Sequence, residues 1–121
     1  MSVLVVDDQP VFLSVARQVI EVTPGFRCIG EATSGEEGVE LAAALGPDLV
    51  LMDVRMSGIG GREAARRIRD AGSASAVVLV SSDPSGVDAP AVMSKRELRP
   101  STLTALCDAR ARRDAPRPPT G

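Results

Sequence analysis

Three uninterrupted apolar runs, Val3–Val6, Leu49–Met52 and Ala76–Val80, constrain this chain most. Each is too short for a free-standing helix and is rich in Val and Leu. None alternates apolar with polar residues, so each reads as a strand covered on both faces. Each also ends abruptly in polar residues: Asp7-Asp8, Asp53 and Ser81-Ser82. Two further strands are expected at Phe26–Ala32 and Ala91–Met93, the second running into Ser94-Lys95.

Helical patterns fill the intervals. From Pro10 to Val22, Val11, Val15, Val19 and Ile20 recur at helical spacing, and Pro10 suits a first turn. Ser34 is placed to cap a second helix whose first turn holds Glu36 and Glu37, with Gly46-Pro47 as its stop. A third helix is expected from about Arg62 to Asp70, after a loose Gly58–Gly61 loop. A last one opens at Pro100, with Leu103, Leu106 and Cys107 inward. Residues 1–109 thus form one domain, and the Pro- and Arg-rich residues 110–121, with Arg110, Arg112, Arg113 and Arg117, read as a disordered, solubilising tail. Strands alternating with helices imply a parallel sheet with helices on both faces. Such sheets bind ligands beyond the carboxyl ends of their strands.

Composition excludes several chemistries. The 121 residues contain no His, Trp or Tyr. No His metal site, no His-dependent nucleophile and no phosphohistidine carrier can be built from this chain. Base stacking on aromatic platforms has only Phe12 and Phe26 to draw on, which argues against direct nucleic-acid binding. Cys28 and Cys107 have no ligand-spaced partners and are expected as buried free thiols. The start of the chain meets acids too soon for a signal peptide or a membrane span, which fits a cytoplasmic protein. The formal net charge of −2 hides an asymmetry: residues 1–53 carry nine acids and two Arg (−7), residues 54–121 seven acids and twelve bases (+5).

Placed on a parallel sheet, Asp7, Asp8, Asp53, Ser81 and Lys95 all follow strands and gather on one edge. Carboxylates about 5 Å apart repel by roughly 3 kcal/mol per pair at an effective dielectric of 20. Such a cluster calls for a cation or a proton. Mg²⁺ suits it, as a hard ion that takes a few carboxylates and fills its other positions with water or phosphate oxygens. Asp is also a nucleophile for phosphoryl transfer, a reaction that runs on positioning and electrostatics. Lys95 is the sole lysine among thirteen arginines, which points to a need for a compact charge rather than a planar fork.

These pieces, in this order, resemble the receiver domain of two-component response regulators. The resemblance rests on Val3-Leu4-Val5-Val6-Asp7-Asp8, on Pro47 through Gly58 around Asp53, on Val78-Leu79-Val80-Ser81-Ser82 and on Ser94-Lys95, and it covers residues 2 to about 108. It implies a flavodoxin-like (βα)5 fold with sheet order 2-1-3-4-5. It implies that Asp53 takes a phosphoryl group from a sensor histidine kinase docked on the first helix, around Phe12–Val19. Asp8 would ligate Mg²⁺ directly, Asp7 directly or through water, and Asp53 and the backbone carbonyl of Arg55 would complete the protein ligands. Ser81 would be the hydroxyl switch residue and Lys95 would bind the phosphoryl oxygen. Any catalysis would be confined to the chain's own phosphorylation and dephosphorylation. A homodimer or a separate output protein would read the switched surface.

The chain also departs from that family. Only thirteen residues separate Ser81 from Lys95, and they include Pro84, Gly86 and Pro90. A regular fourth helix is therefore expected to be short or missing. Val92 stands where receivers carry a Tyr or Phe switch, and Ser57 replaces a common proline. No output domain is expected to follow, so the chain is either a stand-alone receiver or part of a longer regulator. These departures keep open a second reading, a phosphorylation-independent protein-binding or dimerisation module. A flavin-type protein would need phosphate-binding backbone after the first strand, where Asp7-Asp8 repels phosphate instead.

Overall fold

The computed structural model describes residues 1–82 and 92–114, with side chains through Asp108. Five strands, β1 (Ser2–Val6), β2 (Arg27–Ala32), β3 (Leu49–Asp53), β4 (Ala76–Ser81) and β5 (Val92–Ser94), form one sheet in the order β2-β1-β3-β4-β5. Every neighbouring pair is parallel. Four α-helices lie among the described residues: α1 (Pro10–Val22), α2 (Gly35–Leu45), α3 (Gly60–Asp70) and α4 (Pro100–Asp114). The expected α/β receiver fold and strand order are therefore present.

Side-chain alternation along the buried strands explains the layers. Val3, Val5, Leu49 and Leu51 point to one face and pack with Phe12, Leu13, Ala16 and Ile20 of α1 and Leu103 of α4. Leu4, Val6, Val50 and Met52 point to the other and meet Ala42 of α2 and Ala64 and Ile68 of α3. A strand with apolar residues at every position needs this double cover.

Local chemistry sets the helix ends. The Ser34 hydroxyl accepts from the Glu37 N–H at 3.1 Å, and the Glu37 carboxylate reaches back to the Thr33 N–H at 2.7 Å. These bonds satisfy donors that the first turn leaves without partners. Gly46, at φ +57°, closes α2 in the left-handed conformation.

Three expectations need correction, and the helical spacing in α1 gains a direction. The inward face of α1 is Phe12, Leu13, Ala16 and Ile20, while Val11 is 77% and Val15 45% exposed. Valines spaced four apart mark a helical stripe but do not say which of two adjacent stripes faces the sheet. Helix α3 starts at Gly60 rather than Arg62, because its first turn presses on the end of β3: a Cβ at Gly61 would lie 2.1 Å from the Asp53 carbonyl oxygen. Glycine's low helix propensity is overridden there by the need for close approach. Helix α4 continues through Asp114, past the expected tail boundary after residue 109. Finally, Cys28 and Cys107 are free as expected but only half-buried. The expected loss of the fourth receiver helix falls on residues 83–91 and lies outside the described residues, as does the remainder of the tail.

Candidate functional site

The carboxyl ends of β1, β3, β4 and β5 meet at one edge of the sheet. Asp7 follows β1 directly and extends its ladder, its N–H donating to the Ala32 carbonyl at 2.9 Å. This fixes the Asp7 side chain, which is fully buried. Asp8 is exposed at the rim. Asp53 is the last residue of β3, buried, and pairs in register with Val80, so Ser81 lies one step further along β4. Ser81 pairs in turn with Ser94, which places Lys95 at the same edge as the first residue of a 3₁₀ turn, Lys95–Glu97. Strand register alone thus brings these side chains together.

Their spacing is tight. One carboxylate oxygen each from Asp7, Asp8 and Asp53 lie within 4.8 Å of one another. The Lys95 ammonium sits 2.5 Å from Asp7 Oδ2 and 3.6 Å from Asp53 Oδ1. The approach to Asp7 Oδ2 lacks hydrogen-bond alignment, so that buried oxygen has charge beside it and no hydrogen bond. Asp7 Oδ1 accepts from the Gln9 N–H at 2.8 Å. On its outer side Lys95 Nζ lies 4.5 Å from the centre of the Phe12 ring.

Among the described residues, the carboxylate cluster of three acids has one ammonium, Lys95, in ion-pair contact, which leaves it short of positive charge. Burial pushes the Asp53 carboxyl above its ordinary range, and the Asp7 carboxylate pushes it the same way. The Lys95 ammonium and an N–H from Arg55 pull against them. An acid raised by desolvation and by a like charge is one that a divalent cation would return to its ionised form. The donor set is all carboxylate oxygen, which fits Mg²⁺ and does not fit soft metals.

The loop after β3 is held by glycines and one glutamate. Gly61 N–H bonds the Val54 carbonyl at 3.0 Å, and Val54 N–H bonds the Val80 carbonyl at 3.0 Å. Glu36, from α2, accepts from the Ile59 N–H at 2.9 Å, and a Cβ at Gly58 would meet its carboxylate at 2.5 Å. Sequence reasoning took Gly58–Gly61 as a free loop and missed Glu36, which it read only as a favourable charge near a helix start. It also placed Phe12 among docking residues and missed its contact with Lys95. No spacing rule links residue 12 to residue 95; only the sheet order does. Arg55, expected to offer its carbonyl to a metal, lies on this loop with its side chain exposed.

The comparisons with known proteins agree with this geometry. The family model for the response regulator receiver domain matches residues 3–96. The nitrate/nitrite response regulator protein NarL of Escherichia coli strain K12 is 36% identical over 80 residues, covering 66% of this chain and 37% of that protein. A protein-glutamate methylesterase/protein-glutamine glutaminase of Hahella chejuensis is 39% identical over 104 residues, covering 86% of this chain and 29% of that enzyme. The chain therefore spans about a third of the length of these relatives. Among solved structures, the response regulator domain of Thermotoga maritima CheB superposes with a TM-score of 0.80 at 27% identity, covering 96% of this chain and 98% of that domain. No helix among the described residues is long and apolar enough to cross a membrane. By its sequence match, its sheet order and the carboxylate edge, this chain belongs to the response regulator receiver domain family.

Proposed function

We propose that this receiver domain is a phospho-accepting switch, with Asp53 as the acceptor and a sensor histidine kinase as the donor. The observation that carries the reading is the convergence of Asp7, Asp8 and Asp53 within 4.8 Å, with Lys95 bridging Asp7 and Asp53. An Asp53 carboxylate oxygen attacks phosphorus, a P–O bond forms, and the P–N bond to the donor imidazole breaks. The leaving nitrogen takes a proton from solvent. A Mg²⁺ ion held by Asp7, Asp8, Asp53 and the Arg55 carbonyl would neutralise charge on the transferring group. Lys95 supplies the second positive contact, and the Ser81 hydroxyl at the end of β4 donates to a phosphoryl oxygen.

Docking of the donor is assigned to α1. Its outer face presents Val11 and Val15, exposed by 77% and 45%, in the half of the helix that starts at the carboxylate edge, and Val22, exposed by 69%, on the same stripe at the far end. Apolar residues at that exposure along one stripe mark a contact surface more than a core. The partners are thus a sensor histidine kinase and, downstream, an output protein or a second copy of the chain, in the cytoplasm.

A second reading draws on Val92, half-buried on β5 where receivers carry an aromatic switch. Under it the domain binds its partner by surface contact whatever the state of Asp53. Incubation with acetyl phosphate and Mg²⁺, followed by intact mass, separates the two. One phosphoryl group on the wild type, absent from Asp53→Asn and absent without Mg²⁺, is the expected result. A folded protein that takes no label from acetyl phosphate or from histidine-kinase donors would hand the lead to the binding module.

A further inference from the structure

The only lysine of the chain rests on one of its two aromatic rings. Lys95 Nζ lies 4.5 Å from the Phe12 centroid, on a side chain only 11% exposed. Phe12 is itself 8% exposed, in the first turn of α1, with its ring packed into the α1–α4 core. A cation held this close to a ring face is attracted by the ring's quadrupole, and more strongly where water is excluded. We propose that Phe12 is a positioning residue for Lys95, holding the ammonium over the carboxylate pair so that it can serve the phosphoryl group on Asp53. The proposal rests on the phospho-acceptor reading for its purpose, though not for its contact.

The chemistry of the neighbours explains why a ring fits here. Lysine carries its charge on four flexible carbons, and fixing them costs rotamer entropy. The oxygens facing Nζ come from Asp7 at 2.5 Å and Asp53 at 3.6 Å, so at rest the cation leans toward Asp7. Serving a group on Asp53 requires it to turn its contact from the Asp7 side of the pocket toward the Asp53 side. A hydrogen-bonding partner on the outer side would fix a direction and consume an N–H. A ring face attracts without a preferred azimuth and leaves all three N–H groups for oxygen. Leucine at position 12 would fill similar space but offer no attraction to the cation.

A single lysine makes the test direct. In protein labelled with ¹³C at lysine Cε, one side-chain signal reports Lys95, and ring current from Phe12 should shift it upfield. Phe12→Leu should return that signal toward the free-lysine position, and Phe12→Tyr should keep it upfield. With acetyl phosphate, Phe12→Leu should label about two- to thirty-fold more slowly, the span of a cation–π contact from half-exposed to desolvated sites, with Phe12→Tyr rescuing the rate. Should Phe12→Leu fail to fold, pentafluorophenylalanine incorporated in a Phe26→Leu background alters the quadrupole while keeping the ring's shape, and should slow labelling likewise. A Lys95 signal with no upfield shift in the wild type, or a Phe12→Leu protein that labels at the wild-type rate, overturns the proposal. A wild type that shows the upfield shift yet takes no phosphoryl group overturns the phospho-acceptor reading instead, and with it the purpose assigned to Phe12, while the contact stands.

Discussion

The two ends of the sheet treat aspartate in opposite ways. At the amino edge, Asp48 accepts from the Ser2 N–H at 2.8 Å and from its hydroxyl at 3.1 Å, and its own N–H bonds the Ser2 hydroxyl at 3.0 Å. These reciprocal bonds tie the start of β3 to the start of β1. At the carboxyl edge, Asp7 and Asp53 are buried beside each other, and Asp7 Oδ2 has no hydrogen bond. One edge spends its acid on joining strands. The other accumulates charge that the fold alone does not neutralise. Local satisfaction marks a structural acid, and unrelieved crowding marks one kept for a ligand or a reaction.

The sharpest way to break that contrast is to exchange the effects. Asp53→Asn should abolish phosphoryl acceptance, read by intact mass, while leaving the protein folded. It should also raise the melting temperature without Mg²⁺, followed by circular dichroism because the chain has no Trp. Asp48→Asn should do the reverse: labelling persists, and stability falls by about 1–3 kcal/mol as half-buried donors lose their charged partner. An Asp48 variant that loses labelling without losing stability would erase the distinction between the edges.

Next in size is Gly61→Ala. A Cβ there would stand 2.1 Å from the Asp53 carbonyl oxygen, a backbone atom that cannot swing aside. Relief requires moving the start of α3 or the end of β3, at a cost of about 1–3 kcal/mol or more. Labelling should fall with stability, since the same shift displaces Asp53. By contrast Gly46→Ala meets open space and suffers only from its positive φ, so it should cost about 1 kcal/mol and leave labelling intact.

Proton linkage gives a third, smaller test. The folded pKa of Asp53 is raised above its ordinary value of 3.8. The folded state therefore binds more protons than the unfolded chain between those two values, and stability falls as pH rises through the window. Metal-free wild type should show that decline, and Asp53→Asn should lack it. Saturating Mg²⁺ should offset it, because a cation that binds only the folded state stabilises by about 2.7 kcal/mol at a hundred times its dissociation constant. A wild-type profile that is flat above pH 4 would mean that Asp53 is better solvated than its burial implies.

The carboxylate edge was legible in the sequence because it is written in order along single strands. Asp7, Asp53, Ser81 and Lys95 each follow an apolar run, and parallel strands put such followers on one edge whatever the details of packing. What escaped was written across elements. The ring of Phe12 meets Lys95 through the folding of α1 over β1 and β3, and Glu36 meets Ile59 because α2 and α3 are neighbours on the same face. The phase of α1 was not legible for a related reason. Val11 and Val15 are as apolar as Phe12 and Ala16, and only the direction of the chain leaving β1 decides which stripe turns inward. Gly60 and Gly61 misled for a different reason, since propensity is a local quantity and the approach of α3 to Asp53 is not.

The smallest expected effect concerns the loop between the acceptor and α3. Glu36 is an exposed residue, yet its own N–H and the Ile59 N–H hold its carboxyl below the ordinary glutamate value of 4.5. A depressed folded pKa means that the contribution is present above the ordinary value and is lost as pH falls through the folded one. The Ile59 amide should therefore be protected from hydrogen exchange at neutral pH and lose protection as pH drops below about 4.5. Glu36→Gln keeps an acceptor oxygen and should retain part of that protection at every pH. Glu36→Ala should remove it, with little change in melting temperature because the bond is solvent-screened. If this bond also steadies the backbone around Arg55, the Glu36→Ala protein should need more Mg²⁺ for the same labelling rate, an effect measured by titrating the metal at fixed acetyl phosphate. Equal Mg²⁺ dependence with lost Ile59 protection would show that the loop's order stops short of the acceptor, and that glycines alone shape the carboxyl edge.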